Sequence, residues 1–357
     1  MSVRLLLCGG GTGGHLFPAV AVAEEWLAGG GEVLFVGSGR KTEREVLGRL
    51  GYPWRGIDVS GFAGRGLRGK LGLLKLPVAL AQSLSIVSRF RPNVVLGVGG
   101  YSAGPVIVAA RMLRLPCALQ EQNAVPGLTN RLLGRLVERA FVTFPDTVRF
   151  FPGKAVLAGN PVRRALIDAS ATANSREGDR LGLLIFGGSL GAHSLNMAAA
   201  RMLSHLGALA PRLDITHQTG DQDLIEVRAA YAEANIEARV LPFIHDMAAA
   251  YGAADLVVCR AGATTLAELA ALGKPSILIP YPHAVGNHQE LNARVFERAG
   301  AAQVLLDREL EPAILAGRIS ALLKDEAARS GMAAAARGLG RPEAARTIAA
   351  ELSRLAA

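Results

Sequence analysis

The chain carries the same short device twice. An aliphatic run breaks into a cluster of glycines and then opens a helix, GGGTGGH at Gly9 to His15 and GGSLG at Gly187 to Gly191. A strand followed at once by a glycine turn and a helix is the start of a βαβ unit, and the parallel strands that such units join must be covered by helices on both faces. The rest of the sequence keeps this grammar. Runs Val3 to Cys8, Val33 to Val36, Val94 to Val98, Cys117 to Leu119 and Ala140 to Val142 alternate with stretches of helical period such as Ala19 to Ala28 and Thr42 to Leu50. After Arg164 the pattern loosens into small and polar residues. It restarts with Leu181 to Phe186, Ile215 to His217, Val240 to Leu241, Leu256 to Cys259 and Ser276 to Ile279, separated by helices near Ala192 to Leu206, Leu224 to Ala234 and Thr264 to Leu272.

The expected fold class is therefore α/β, with two Rossmann-like parallel-sheet domains facing across a cleft, since ligands of open parallel sheets bind beyond the carboxyl ends of the strands. The expected boundaries are residues 1–164 for the first domain, 165–180 for a linker, 181–340 for the second domain and 341–357 for a C-terminal helix that packs back on the first. A length of 357 residues is enough for two apolar cores. The three cysteines, Cys8, Cys117 and Cys259, sit in or beside expected strands and read as buried thiols of a reducing compartment. The opening MSVRLLLCGG is too short for a signal peptide, and no segment approaches 18 uncharged apolar residues, so a cytoplasmic location without a membrane span is expected. A net charge of +9 calls for an anionic partner. With only 5% aromatic residues, and no basic stretch interleaved with stacking residues, that partner is not expected to be nucleic acid.

Gly9, Gly11 and Gly14 satisfy G-x-G-x-x-G between a strand and a helix, the context in which backbone N–H groups and a helix N-terminus cradle phosphate. A dinucleotide site would place an acid at the end of the second strand. Here that strand runs out in Gly37, Ser38, Gly39 and Arg40, so NAD loses its ribose ligand, while Arg40 and Lys41 leave an NADP enzyme as an alternative. In CRAGATTLAE, Ala263, Thr264 and Thr265 open a helix after a strand, a suitable seat for a diphosphate. Glu268 is placed either to accept from a ribose diol or to complete a Thr-x-x-Glu capping box with Thr265. Asp221 and Asp223 have the Asp-x-Asp spacing of metal-binding sugar-nucleotide enzymes, but at a helix start they are expected only to complement its dipole.

Taken in order, GGGTGGHLFP, GVGGYSAGP, QEQNAVPGLTN, AGNPVR, GGSLGA, CRAGATTLAE and HQELNA make a series that resembles the MurG family, from Gly9 to about Ala302. That family adds N-acetylglucosamine to undecaprenyl-pyrophosphoryl-MurNAc-pentapeptide in peptidoglycan synthesis. The resemblance implies a GT-B fold, UDP-GlcNAc as donor, a polyprenyl-pyrophosphate-linked muramyl peptide as acceptor, inversion at the anomeric carbon, and no cofactor or tightly bound metal. By position it implies that Thr12, Gly13, Gly14, Asn123, Arg163 and Ser189 reach the donor and that Ile244 packs on uracil. It further implies that Ala263, Thr264, Thr265, Leu266, Ala267 and Glu268 hold diphosphate and ribose, and that Gln289 binds the sugar hydroxyls. Gly99, Gly100 and Tyr101 fall to the acceptor. Two departures lie on the acceptor half: Gln120 stands where the family commonly has histidine, and Tyr101-Ser102-Ala103 where it has Tyr-Val-Ser.

An inverting transfer needs a base for the acceptor hydroxyl. His15, joined to the first glycine loop, is the candidate, with Glu121 in reserve; the alternative for His15 is a hydrogen bond to donor phosphate or to the loop. The segment from Leu71 to Phe90, with Arg65, Arg68 and Lys70 before it and Lys75 within it, mixes leucines with cations and is expected to lie on an anionic membrane surface, placing the protein peripherally on the cytoplasmic face of the cell membrane. Read without the resemblance, the same segment is a core helix with basic ends. Other functions consistent with the motifs are a diacylglycerol-type lipid glycosyltransferase, a UDP-GlcNAc 2-epimerase and a non-catalytic UDP-sugar sensor.

Overall fold

The computed structural model describes residues 2–10, 13–59, 75–172 and 180–357. The chain divides into two compact units, residues 1–163 with 341–357, and residues 164–340. The first unit is built on β1 (Arg4–Cys8), β2 (Glu32–Gly37), β3 (Trp54–Gly56), β4 (Val94–Gly97), β5 (Cys117–Glu121), β6 (Arg139–Val142) and β7 (Ala155–Leu157). They form one sheet in the order β3-β2-β1-β4-β5-β6-β7, every pair parallel. The central strands β1 and β4 are buried and mainly aliphatic, as the cover of helices on both faces requires. Leu5 and Leu7 pack on one side with Val20 of the first helix, Gly13–Ala28, while Leu6 and Cys8 pack on the other with Ile107 and Leu119.

Residues 341–357 belong to this first unit. The helix Ala344–Ala356 buries Ala344, Ala345, Ile348, Ala349 and Leu352, one face at helical spacing, and Ile348 and Leu352 join the core formed by the first helix.

The second unit repeats the plan with β8 (Leu181–Phe186), β9 (Leu213–Gln218), β10 (Ala238–Leu241), β11 (Leu256–Cys259), β12 (Ser276–Leu278) and β13 (Gln303–Val304), ordered β10-β9-β8-β11-β12-β13 and again parallel. The expected linker is a correction. Its first half is the helix Arg164–Thr172, which packs on the helix Met247–Ala253 as part of the second unit and buries Leu166; residues 173–179 lie outside the described residues. The helix expected over Ala192 to Leu206 stops at Met202 and continues as two short 3-10 turns. Gly207, with φ 51°, begins the second of these turns, and Pro211 lies inside it. Among the described residues no helix is long and apolar enough to cross a membrane.

Candidate functional site

In both sheets the chain leaves the first strand in one direction and later returns to its other side, so a switch point falls between β1 and β4 and between β8 and β11. Side connections diverge there, which opens a crevice at the carboxyl ends of those strands. The glycine motifs stand at these two places.

In the first unit, Gly9 and Gly10 leave β1 with φ near 137° and 138°, values open to glycine. The turn is pressed against the one that follows β4. The Gly10 N–H donates to the Gly99 carbonyl at 3.3 Å, and a Cβ at Gly100 would stand 2.5 Å from the Gly10 carbonyl oxygen. His15, half-buried in the first turn of its helix, lies with its ring edge on Gly99: a Cβ there would come within 2.7 Å of Cδ2 and 2.9 Å of Nε2. Gly13, Gly14, His15, Gly99 and Gly100 are therefore brought together, with Tyr101 next along the chain; Thr12 lies outside the described residues.

Glu121 closes β5 and is 1% exposed. Its Oε1 accepts from the Asn123 N–H at 2.9 Å and from Asn123 Nδ2 at 3.1 Å, while Oε2 accepts from Asn130 Nδ2 at 2.9 Å and from the Gly127 N–H at 3.2 Å. Burial raises its pKa and these four donors oppose the rise. A carboxylate saturated in this way holds the loop that carries Asn123 and has no lone pair directed at an incoming hydroxyl, which makes it a positioning residue rather than the reserve base.

Arg163 places its guanidinium carbon 4.9 Å from the centroid of Phe17, on the same helix as His15. Beneath the loop, Gln120 Nε2 donates to Asn160 Oδ1 at 2.9 Å, so the residue standing in place of histidine ties β5 to the AGNPVR turn. The NADP alternative loses support at the end of β2. There Glu43 is buried and accepts from Ser38 Oγ at 3.0 Å, Gly39 N at 2.9 Å and Arg40 N at 3.3 Å, so a carboxylate occupies the region next to the first glycine turn.

In the second unit, Gly188 (φ 97°) and Gly191 (φ 77°) fold the turn after β8 against the one after β9, where Gly220 (φ 77°) meets the Leu190 carbonyl. Gln218 joins them to a third segment: Nε2 donates to the Gly188 carbonyl at 2.7 Å, and Oε1 accepts the Ile244 N–H at 2.9 Å. Ser189 is exposed at the tip of its turn, and Ile244 is buried.

The helix Ala263–Leu272 follows β11 with Gly262 as its cap residue, and its first three N–H groups lie outside the helical ladder. Two expectations are corrected here. Leu266 has its side chain in the core, 1% exposed, and its N–H donates to the Gly262 carbonyl at 2.9 Å, so neither it nor Ala267 one residue deeper in the helix offers a phosphate donor. Because the cap is Gly262, Thr265 is not the first residue of a capping box. Glu268 instead accepts from the Tyr251 hydroxyl at 2.9 Å. Gln289, early in the helix His288–Arg298, accepts the Tyr281 N–H through Oε1 at 2.9 Å, which orients its amide.

Asp223 does more than complement a dipole. It is 8% exposed; Oδ1 lies 2.8 Å from His193 Nδ1, and Oδ2 accepts from Asn196 Nδ2 at 2.7 Å. Asn196 Oδ1 lies 3.2 Å from Nε2 of the fully buried His217, whose Nδ1 is 3.3 Å from the Tyr231 hydroxyl. Asp221 is exposed. Arg260, passed over in the sequence as the residue before AGATT, bonds Asp307 Oδ1 at 2.6 Å and Ser194 Oγ at 2.7 Å. It thereby pins the end of β11 to the helix that follows GGSLGA. The spacing of 47 residues to Asp307 hides this pair from sequence reading.

The part of the leucine and lysine segment that can be described, the helix Leu76–Phe90, packs on the helix Ala103–Met112, buries Ala79, Ser83 and Val87 and leaves Val78 half exposed. Lys75 pairs with Asp58 at 2.8 Å. Arg65, Arg68, Lys70 and the leucines from Leu71 to Leu74 lie outside the described residues.

Two parallel sheets of one strand order, each with its glycine turns at the switch point, define a protein of the GT-B fold class. Family models agree: the glycosyltransferase family 28 N-terminal domain matches residues 5–142 and the glycosyltransferase family 28 C-terminal domain matches residues 182–348. The chain is 48% identical over 357 residues to the UDP-N-acetylglucosamine--N-acetylmuramyl-(pentapeptide) pyrophosphoryl-undecaprenol N-acetylglucosamine transferase of Geobacter metallireducens, covering 98% of each. The crystal structure of Acinetobacter baumannii MurG superposes with a TM-score of 0.79 at 33% identity over 99% of both chains. The chain belongs to the MurG family of glycosyltransferases. A UDP-GlcNAc 2-epimerase from Neisseria meningitidis shares the fold, with a TM-score of 0.71 over 99% of this chain and 100% of that one, but at only 13% identity the likeness extends to fold alone.

Proposed function

We propose that this chain transfers N-acetylglucosamine from UDP-GlcNAc to the C4 hydroxyl of the muramyl sugar in undecaprenyl-pyrophosphoryl-MurNAc-pentapeptide, the conversion of lipid I to lipid II in peptidoglycan synthesis. Near-half identity to transferases of that name along almost the entire length of both chains carries this reading.

In the reaction the acceptor oxygen forms a bond to the anomeric carbon, the bond from that carbon to the β-phosphate oxygen breaks, and UDP leaves with the electron pair. His15 takes the acceptor proton. Its support is its place: an imidazole at the start of a helix, held against Gly99 beside two glycine turns that leave backbone close to a ligand. Gly99, Gly100 and Tyr101 hold the acceptor side, and Asn123, kept in place by Glu121, together with Arg163, serves the donor. On the second unit the first N–H groups of the helix Ala263–Leu272 stabilise the charge gathering on diphosphate, helped by Ser189. Ile244 packs on uracil, Glu268 accepts from the ribose diol, and Gln289 presents its amide to sugar hydroxyls. Direct displacement by the acceptor oxygen inverts the anomeric carbon.

The acceptor's polyprenyl tail requires a membrane surface, and the cations and leucines before and within the helix Leu76–Phe90 supply a peripheral contact with anionic lipid. The test is incubation with UDP-GlcNAc and lipid I. Formation of the disaccharide lipid is the expected result. Glycosylation of diacylglycerol in its place, release of an epimerised sugar without acceptor, or UDP-GlcNAc binding with no turnover would each reject it in favour of another function.

A further inference from the structure

At the opposite end of the first sheet from His15 and Gly99, against the amino-terminal ends of β2 and β3, lies a cavity of about 840 Å³. Its walls are largely apolar, with Leu27, Val33, Leu34, Leu50, Ile86 and Phe90 prominent among them. A register fact creates it. β3 begins at Trp54, paired with Phe35, so the outer edge of β2 ahead of Phe35 has no neighbouring strand.

The ladder parity shows what this edge offers. The Phe35 N–H donates to the Pro53 carbonyl at 3.0 Å and the Ile57 N–H to the Gly37 carbonyl at 3.0 Å, so alternate residues of β2, Val33 among them, turn their peptide groups outward. Pro53 stands where the donor to the Val33 carbonyl would be and has no N–H to give. The apolar hollow thus keeps a polar backbone position in its wall. Arg55, whose Nη1 donates to the Trp54 carbonyl at 2.9 Å, and Arg89 are the cationic residues of the lining, against the single acidic residue Glu32, which already accepts from Ser2 Oγ.

We propose that this cavity binds a small amphipathic anion, an apolar chain or ring bearing one phosphate or carboxylate. The volume is that of a small-molecule site, and a mostly apolar wall with a few convergent polar groups is the usual make-up of one. The net positive lining selects an anion, and Arg89, in the last turn of the helix Leu76–Phe90, presents a fork that fits either acid group. A peptide added as a strand is excluded by length, since only one outward-facing residue of β2 is open before Pro53 blocks the edge. The site is separate from the residues assigned to donor and acceptor.

The test is titration of the full chain in detergent-free buffer with monomeric octyl phosphate, octanoate and 1-octanol. Octyl phosphate should bind with a Kd of about 0.1 mM, and 1-octanol at least tenfold more weakly; the ratio of the phosphate to the octanoate affinity tells which acid the arginines prefer. Arg89→Glu should weaken both anions at least tenfold and leave 1-octanol unchanged. Ser85→Trp, at an exposed rim position, should fill the hollow and abolish all three, with the unfolding midpoint and UDP-GlcNAc binding retained. Absence of binding at 1 mM, unchanged affinity in both variants, or displacement of octyl phosphate by UDP-GlcNAc would overturn the proposal.

Discussion

The Tyr251 hydroxyl donates to Glu268 Oε2 at 2.9 Å, so a tyrosine buried behind the helix Ala263–Leu272 aims the carboxylate assigned to the ribose. Burial, and then the neighbouring carboxylate, raises the tyrosine pKa and keeps the phenol a donor at any working pH. Glu268→Ala is expected to raise the KM for UDP-GlcNAc by about 10- to 100-fold, the worth of a hydrogen bond to a charged group, with the acceptor KM little changed. Tyr251→Phe should raise it by a smaller factor through loss of aim. Unaltered donor binding with a lower melting temperature in Glu268→Ala would assign the carboxylate to the fold alone.

Asp221 and Asp223 should separate in their effects despite their Asp-x-Asp spacing. Asp223→Ala removes one of the two acceptors of the buried Asn196 amide, leaving it the Thr219 carbonyl alone, and should cost about 2 kcal/mol of stability. Asp221→Asn, at an exposed position, should stay within about 0.5 kcal/mol and keep turnover within a few-fold. Urea midpoints and initial rates measure both. A collapse of turnover in Asp221→Asn with normal stability would return these aspartates to a metal role.

The buried imidazole of His217 gives the second unit a pH dependence whose sign can be worked out. Burial lowers its pKa from 6.5 to about 3, with Asp223 opposing the shift. Above pH 6.5 the ring is neutral in both states and its full contribution is present. Between 6.5 and about 3 the unfolded chain takes up a proton that the folded one refuses, so stability falls with pH by up to about 1.4 kcal/mol per unit. Denaturant midpoints between pH 7 and 5 should decline less steeply in His217→Gln than in the unmodified protein. Parallel slopes would show that the ring is protonated in the folded state.

How much of this was readable in advance follows from the range of each interaction. The glycine turns stood out because a backbone that must come within contact of another backbone tolerates no Cβ, and that demand is written locally at Gly9, Gly100 and Gly191. The long aliphatic strands were visible for a related reason, since burial on both faces leaves no polar positions. The edge strands β3, β7 and β13 are three, three and two residues long, too short for their composition to mark them off from loop, even where, as in the Ala155–Leu157 strand, it is aliphatic. The Asp223 and His193 pair spans 30 residues, and nothing in TGDQD tells a dipole partner from a carboxylate turned inward. Glu121 lies close in sequence to all its donors, but its saturation depends on how residues 122–130 fold back, which composition does not record.

Membrane contact through the cations and leucines ahead of residue 76 predicts a salt-sensitive association. The pair Lys70→Gln with Lys75→Gln, or Leu73→Ser with Leu74→Ser, should shift the protein from pellet to supernatant when sedimented with anionic vesicles, while UDP-GlcNAc binding persists. Raising ionic strength should reproduce the effect of the lysine changes, since screening weakens headgroup attraction over a Debye length. Because Lys75 also pairs with Asp58 at an exposed site, Asp58→Asn is the control for that ion pair and should leave sedimentation intact. Sedimentation unchanged in both double variants would place the contact elsewhere.

His15 allows the sharpest separation of roles. As a general base it should give His15→Ala a kcat lower by roughly two to four orders of magnitude, with UDP-GlcNAc bound within about tenfold of the unmodified enzyme. As a phosphate ligand it should weaken donor binding together with kcat, and His15→Asn, which keeps a donor but cannot accept the proton, should recover most of the rate. The ring edge against Gly99 adds a third arm. A Cβ at that position would meet Cδ2 at 2.7 Å and Nε2 at 2.9 Å, and Gly99 has φ 95°, so Gly99→Ala must displace the imidazole or the turn. If position of the ring sets the rate, Gly99→Ala should lower kcat while leaving UDP-GlcNAc affinity unchanged, and adding it to His15→Ala should cost little more, since the group it displaces is already gone. Full additivity of the two changes, or near-normal turnover in His15→Asn, would remove the proton from His15. With the Glu121 lone pairs already taken by Asn123, Gly127 and Asn130, the search would then turn to Tyr101 and its neighbours on the acceptor turn.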